Sequence, residues 1–350
     1  MAPRELPIVD ARRPRAGGDA NGATGVNQGE RGAAHTRTRD AYRDVPILIK
    51  PTWGQDIAAY FFLGGVSSGA FVFGALAEAL GGTRRKRMAR VANYVAFATM
   101  LPCPPFLIHD LGRPGRFYHM LRIFKPSSPM NLGSWALTLH GTFATLTAMR
   151  ALAADDKLPF VGPIARAVPA APLGLVGIPG ALTLGGYTGV LLGTSSVPVW
   201  FTSPLLGGLF TASALSTGTA AVTLVDTLVE GEADHTLTPL RLTLGAVEAI
   251  ALGAYLATSG KAAKPLLRGA MGLLTAGAVT GIVAGVALEA ASLGAKKPNR
   301  LLGVAAPVAT LLGGAALRWG VVFAGHTSAL DREGTIESTT PSERAPGWGP

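Results

Sequence analysis

The chain is short of two things on which most soluble enzymes depend. Only 15% of its 350 residues are charged, against roughly 25% in soluble domains. It also carries a single cysteine, Cys103. One thiol excludes an intrachain disulfide. It equally excludes a cysteine-ligated iron–sulfur cluster or structural zinc site built by this chain, since each needs several thiolates. Cys103 reads instead as a small buried hydrophobe. Soluble catalytic motifs are missing too. No glycine-rich dinucleotide turn, P-loop, HExxH or nucleophile elbow stands out. Dinucleotide binding of the soluble type, nucleotide hydrolysis and proteolysis therefore have no support.

What is plentiful is apolar side chains and glycine. Hydrophobic residues make up 48% and there are 46 Gly, with a mean hydropathy of +0.34. Glycine is commoner in membrane helices than in soluble ones. The composition predicts an all-α polytopic membrane protein. Eight apolar segments stand out, at 57–80, 88–109, 134–153, 171–193, 204–229, 241–259, 268–292 and 301–325. About 20 residues at 1.5 Å rise cross a hydrocarbon core of ~30 Å, so about eight transmembrane helices are expected. Glycines at four-residue spacing (Gly65 and Gly69; Gly185 and Gly189; Gly277, Gly281 and Gly285) predict close helix contacts in a compact bundle. Leu101-Pro102-Cys103-Pro104-Pro105 predicts a kink in the second span. Residues 1–50 read as a disordered polar tail, 51–326 as the membrane domain and 327–350 as a second, loose polar tail. Arg12-Arg13 has no apolar core after it and does not read as a twin-arginine signal.

The formal net charge is +10. In a soluble protein this would suggest nucleic acid; here the cations flank the spans, so no nucleic-acid partner is expected. Arg84, Arg85, Lys86, Arg87, Arg90, Arg150, Lys157, Arg166, Arg241, Lys296, Lys297 and Arg300 fall on one side. Arg113, Arg116, Arg122, Lys125, Lys261, Lys264 and Arg268 fall on the other. The positive-inside rule makes the larger set cytoplasmic. Both termini and the segment 108–135 then face outward.

Ionisable groups inside a bilayer are costly and therefore informative. Glu78, Asp226, Glu248 and Glu289 sit in or at the ends of spans, as candidates for proton transfer or for snorkelling and capping. A second polar set gathers on the outer side: Trp53, Gln55, Asp56 and Tyr60 at the start of span one, His109 and Asp110 at the end of span two, His140 in span three and Tyr187 in span four. Tyr, His, Asp and Gln can hydrogen-bond quinone carbonyls, and a carboxylate or imidazole can take the protons released on oxidation. An interfacial aromatic belt would use the same residues. His109 and His140, at similar expected depth on adjacent helices, also fit a rival reading as axial ligands of haem b in a cytochrome b-like anchor. A third reading is a proton or cation transporter without a redox role.

The polar, basic and aromatic stretch from Ile108 to Trp135 is the most distinctive part of the chain. Asp110-Leu111-Gly112-Arg113-Pro114, Arg116-Phe117, Ser128-Pro129-Met130 and Gly133-Ser134-Trp135 together resemble the signature of the NrfD-type membrane subunit of polysulfide-reductase-like complexes. Tyr60 to Gly65 is similar to that family's first span. Tyr187 to Leu192 with Pro198 and Trp200 is similar to its fourth span and following loop, and Gly313-Gly314, Arg318 and Gly325 to its last. The likeness covers about 50–326. It implies an integral subunit of a molybdopterin/iron–sulfur oxidoreductase in the cytoplasmic membrane, with no intrinsic metal. Such a subunit exchanges electrons between menaquinone or ubiquinone and a four-cluster ferredoxin-like partner, which connects to a molybdopterin catalytic subunit. The quinone-site roles of the family fall on Tyr187 and on Gln55 or Asp56, where no clear family histidine stands. Within the signature, Gly112 and Pro114 predict a tight turn. Asp110 is expected to pair with Arg113 or Arg116 and to relay protons, and Ser134 to cap span three. Arg113, Arg116, Arg122 and Lys125 are expected to dock the cluster-bearing partner.

Overall fold

The computed structural model describes residues 47–160, 162–231, 235–294 and 299–339. Most of the N-terminal tail, Arg12-Arg13, Lys296, Lys297 and the last residues from 340 lie outside these. Among the described residues every regular element is helical. The α-helices are α1 Gln55–Leu80, α2 Thr83–Met100, α3 Cys103–Asp110, α4 His119–Arg122, α5 Pro129–Ala154, α6 Gly162–Ala167, α7 Ala170–Gly193, α8 Pro198–Phe201, α9 Leu206–Glu230, α10 Thr238–Ser259, α11 Gly269–Gly294, α12 Arg300–Leu330 and α13 Arg332–Thr339. Helix is what lipid demands, because each backbone N–H and C=O must find its partner inside the segment.

Seven helical units are long and apolar enough to cross a membrane: α1, α2 with α3, α7, α9, α10 with its following 3-10 turn, α11 and α12. The chain is a multi-pass membrane protein. The remaining expected span, α5, has 26 residues, a sufficient length. His140, Arg150 and a series of threonines make it less apolar. Thr138, Thr142 and Thr145 each donate to the carbonyl four residues back, at 2.7–2.8 Å, which satisfies their hydroxyls within the helix. It packs against α2 and α7.

The kink expected at Leu101 to Pro105 is a two-residue turn, Leu101-Pro102, between α2 and α3. Pro104 and Pro105 follow in the first turn of α3, where a missing N–H costs nothing. The turn places Cys103 in the core, fully buried, while Leu101 faces outward. Two expected boundaries shift. Helix α5 starts at Pro129, with Ser128 as the capping residue accepting from Asn131 N at 3.5 Å. Ser134 is not the cap; one turn inside, it donates to Met130 O and Asn131 O. At the other end α12 continues to Leu330 and α13 follows, so the boundary at 326 falls inside a helix. The Ser328 hydroxyl there accepts from Val199 N at 3.2 Å, tying the end of α12 to α8.

Helix α1 is the axis of the bundle. Its most apolar stretch is 83% buried, against 28% for the peripheral α10 and α11, whose Ile250 and Leu273 stand out among the exposed apolar side chains. Lipid gives no hydrophobic drive to helix association, so close backbone approach must supply it. The glycine stripes do this. A methyl at Gly69 would overlap the backbone of α9, and one at Gly218 that of α1. A Cβ on Gly281 of α11 would stand 2.6 Å from Gly313 Cα of α12.

Candidate functional site

The start of α1 and the end of α3 form a polar mouth at one end of the bundle. His109 Nδ1 and Asp56 Oδ2 are 2.7 Å apart, with the imidazole largely exposed and the carboxylate half-buried. Asp110 lies beside both, near the Gly54 backbone. The expected pairing of Asp110 with Arg113 or Arg116 does not occur; among the described residues it makes no ion pair. The turn at Gly112 carries both arginines into solvent, away from the helix end that holds the carboxyl.

One turn below Asp56, on the same side of α1, Tyr60 is buried against Cys103 of α3 and Tyr187 of α7. The Tyr187 hydroxyl donates to the carbonyl of Pro129, and its ring fills the space where Gly133 has no side chain; a Cβ there would overlap the ring. Ser-Pro-Met-x-x-Gly therefore has a packing reason: Pro129 offers a carbonyl to the Tyr187 hydroxyl and Gly133 a hollow to its ring, one turn apart. The structure brings Asp56, His109, Asp110, Tyr60 and Tyr187 to one side of the first span. It does not bring Gln55, whose Oε1 accepts from Trp319 Nε1 of α12 on another face of α1. Nor does it bring His140, which lies about two turns past Gly133 and is fully buried.

The His140 tautomer follows from its neighbours. Ser67 Oγ donates its one proton to Ala96 O at 2.7 Å, so His140 Nε2 must donate to Ser67 Oγ, 2.8 Å away. Nδ1 is then bare, and it has no partner among the described residues. The haem reading loses its geometry here. His109 and His140 engage α1 at residues 56 and 67, about 16 Å apart along its axis at 1.5 Å per residue. They do not converge on one atom.

The segment between α3 and α5 forms a roof over this end. Asn131 organises it: its side chain donates to Met120 O at 2.6 Å and Ile123 O at 3.0 Å, and accepts from Lys125 N at 2.6 Å. Nothing in the sequence singled out Asn131. Arg113, Arg116, Arg122 and Lys125 are all exposed, interleaved with exposed Phe117, Tyr118, Ile123 and Phe124. Beneath the roof an apolar groove of about 500 Å3 runs between α2, α3 and α5. It reaches Ile108, next to His109 in sequence.

The buried charges lie deeper. Arg318 of α12 is fully buried. It donates to Ser213 Oγ at 2.5 Å and Phe210 O at 3.1 Å, and its guanidinium sits 4.5 Å from the Phe210 ring centre. Gly65 makes room: a Cβ there would be 3.2 Å from the guanidinium. Glu248 of α10, also fully buried, has Ser213, Ser216 and Arg318 as polar neighbours. Neither of its oxygens completes a hydrogen bond with the described residues. Glu289 differs. Arg241 grips it through Nε at 2.6 Å and Nη2 at 2.8 Å. Arg241, counted above among loop cations, is thus a buried partner inside the bundle. Asp226, buried near the end of α9, meets Arg87 at 3.3 Å, and Arg87 also reaches Glu230 at 2.9 Å. Glu78 is half-buried at the same end, about 33 Å along α1 from Asp56.

Residues 48–329 match the family described as "Polysulphide reductase, NrfD". The chain belongs to the NrfD family. Among curated proteins, this NrfD chain is 30% identical over 193 residues to the C component of the polysulfide reductase of Wolinella succinogenes, covering 51% of this chain and 60% of that one. It is 25% identical over 200 residues to the C component of the selenate reductase of Mesobacillus selenatarsenatis, covering 48% and 46%. The matches thus span about half the length of these relatives. Each relative is named as one component of a reductase, and the NrfD signature in this chain coincides with the roof, mouth and tyrosine pair described above.

Proposed function

We propose that this NrfD protein is the quinone-reactive subunit of a molybdopterin/iron–sulfur oxidoreductase in the cytoplasmic membrane. It would exchange electrons between menaquinone or ubiquinone and a ferredoxin-like partner with four clusters. The observation that carries the reading is the convergence of Asp56, His109, Asp110, Tyr60 and Tyr187 at the end of the bundle that also carries the cationic, aromatic loop. Quinone oxidation and reduction involve two electrons and two protons. Asp56 and His109, already in contact, can hold and pass a proton at Oδ2 and Nδ1, and Asp110 lies beside them. Tyr187 presents a hydroxyl from a position fixed by Pro129 and Gly133 and can turn it to a quinone oxygen. The groove at Ile108 suits an apolar tail. Its Ser134, Thr138, Thr142 and Thr145 hydroxyls are spent on their own helix, so it offers hydrocarbon rather than polar contacts.

Electrons must leave to another protein, because one cysteine builds no cluster. The exposed Arg113, Arg116, Arg122 and Lys125 give an acidic cluster protein a steering surface. Protons have a candidate inner station in Glu248, whose oxygens are free, with Arg318, Ser213 and Ser216 beside it. Glu289, held at both oxygens, serves structure first; Asp226 and Glu78 lie at the far end. The test is quinol-linked turnover of the assembled complex. Tyr187→Phe and Asp56→Asn are each expected to lower it by about tenfold or more, within the range of one acid–base or positioning group, with subunit stoichiometry unchanged. Full turnover in both variants would refute the site.

A further inference from the structure

The end of the bundle opposite the signature loop holds a second, polar cavity of about 260 Å3, where α1 and α5 end and α2 and α7 begin. Two helix starts and two helix ends meet there, so their macrodipoles offset one another and the side chains set the potential. Lys86, Arg90 and Arg150 line it, together with Glu78 and Asn93. Arg90 is already paired with Asp155 at 2.6 Å. Arg150 donates through Nε to Val168 O at 2.7 Å, and its terminal nitrogens have no partner among the described residues. Neither has the Lys86 ammonium nor the Glu78 carboxylate. Cations and a carboxylate thus face one space without touching across it. With Arg90 and Asp155 cancelling, Lys86 and Arg150 against Glu78 leave one positive charge, which a monoanion balances. Gly74 lets α1 pack closely on α2 at the edge of this space; a Cβ there would stand 2.8 Å from Ala92 Cβ and 3.4 Å from Asn93 Oδ1.

The surroundings indicate where such an anion comes from. Leu76 and Leu175, each one position from a lining residue, are 46% and 42% exposed on the flank of a membrane bundle. A ligand with its charge in the cavity can lay its apolar part on these leucines. Basic pockets between membrane helices bind lipid head groups in this way. We propose that the cavity binds the phosphodiester of an anionic membrane phospholipid. Lys86 and the terminal nitrogens of Arg150 contact the phosphate oxygens, a geometry guanidinium groups favour. The Asn93 amide donates beside them, and Glu78 accepts from hydroxyls of the head group.

The experiment is native mass spectrometry of the purified full chain in detergent, titrated with phosphatidylglycerol, phosphatidylcholine or inorganic phosphate. One phosphatidylglycerol should be retained in preference to phosphatidylcholine. Lys86→Gln should weaken it about fivefold, the weight of one basic residue near a charged lipid surface. The double variant Lys86→Gln with Arg150→Gln should weaken it about twenty-five-fold. Glu78→Gln should leave binding intact or tighten it. Because Arg150 also holds the Val168 carbonyl, the exposed and unpartnered Lys86 carries the test should the double variant fail to fold. Equal retention of the two lipids, or unchanged affinity in Lys86→Gln, overturns the proposal. So does loss of binding in Glu78→Gln, which would mean recognition of an ammonium group. Displacement by millimolar inorganic phosphate overturns the lipid source in favour of a free anion. All of these readouts are independent of quinone turnover.

Discussion

At the scale of single residues, the structure separates carboxylates that the sequence presents alike. Glu289 and Glu248 are both buried in helices of the bundle. Arg241 occupies both oxygens of Glu289, while Glu248 keeps both of its own free. Removing one partner from a buried pair strands the other charge. Glu289→Ala is therefore expected to cost about 3–5 kcal/mol, read as a lowered unfolding midpoint of the purified protein. Glu248→Gln takes a counter-charge from the buried Arg318 but should lower that midpoint less, because Ser213, the Phe210 carbonyl and the Phe210 ring still hold the guanidinium. Asp155, at the loop after α5, shows how pH acts on this end. The Tyr94 hydroxyl, 2.7 Å from its carboxylate, and the paired Arg90 hold its carboxyl below the usual range. A depressed folded-state pKa contributes stability above the unfolded value, roughly pH 4, and loses it as pH falls through the folded one. Thermal scans should show Asp155→Asn less stable than wild type at neutral pH, the gap narrowing below pH 4. A constant gap would contradict the ionic account.

At the scale of elements, the roof depends on one side chain. Asn131→Ala removes three hydrogen bonds between α5 and the loop. It should loosen 113–125, read as faster amide exchange there while α5 stays protected. The same element marks what a sequence can and cannot say. The apolar lengths of 57–80 and 301–325, the glycine stripes and the proline run at 102–105 are local, and local signals specify helices, contacts and breaks. The partners of Asn131, Gln55 and His140 depend on which neighbours lie across the bundle, and no spacing encodes that. Arg241 shows the same limit: one arginine beside a span reads as a loop charge until Glu289 is seen opposite. Arg318 and Gly65 belong to one site, yet 253 positions separate them. In α5 the hydroxyls lower the mean hydropathy without a matching cost, because their bonds to their own helix lie outside any transfer scale.

At the scale of the whole molecule, the bundle has two chemically distinct ends joined by a central helix of membrane length. One end carries Asp56, His109 and the tyrosine pair together with the cationic loop. The other carries Glu78, Asp226 and paired arginines, with Glu248 and Arg318 between. A transporter could use the inner carboxylates, but it would have no need of Tyr187 locked against a family signature segment. The most direct measurement is photolabelling of the membrane-embedded protein with an azido-quinone, followed by peptide mapping. The account predicts labelling within residues 54–60, 103–110, 129–137 and 184–190, displaced by excess native quinone and reduced in Tyr187→Phe. Specific label confined to other helices, or none that native quinone displaces, would contradict it.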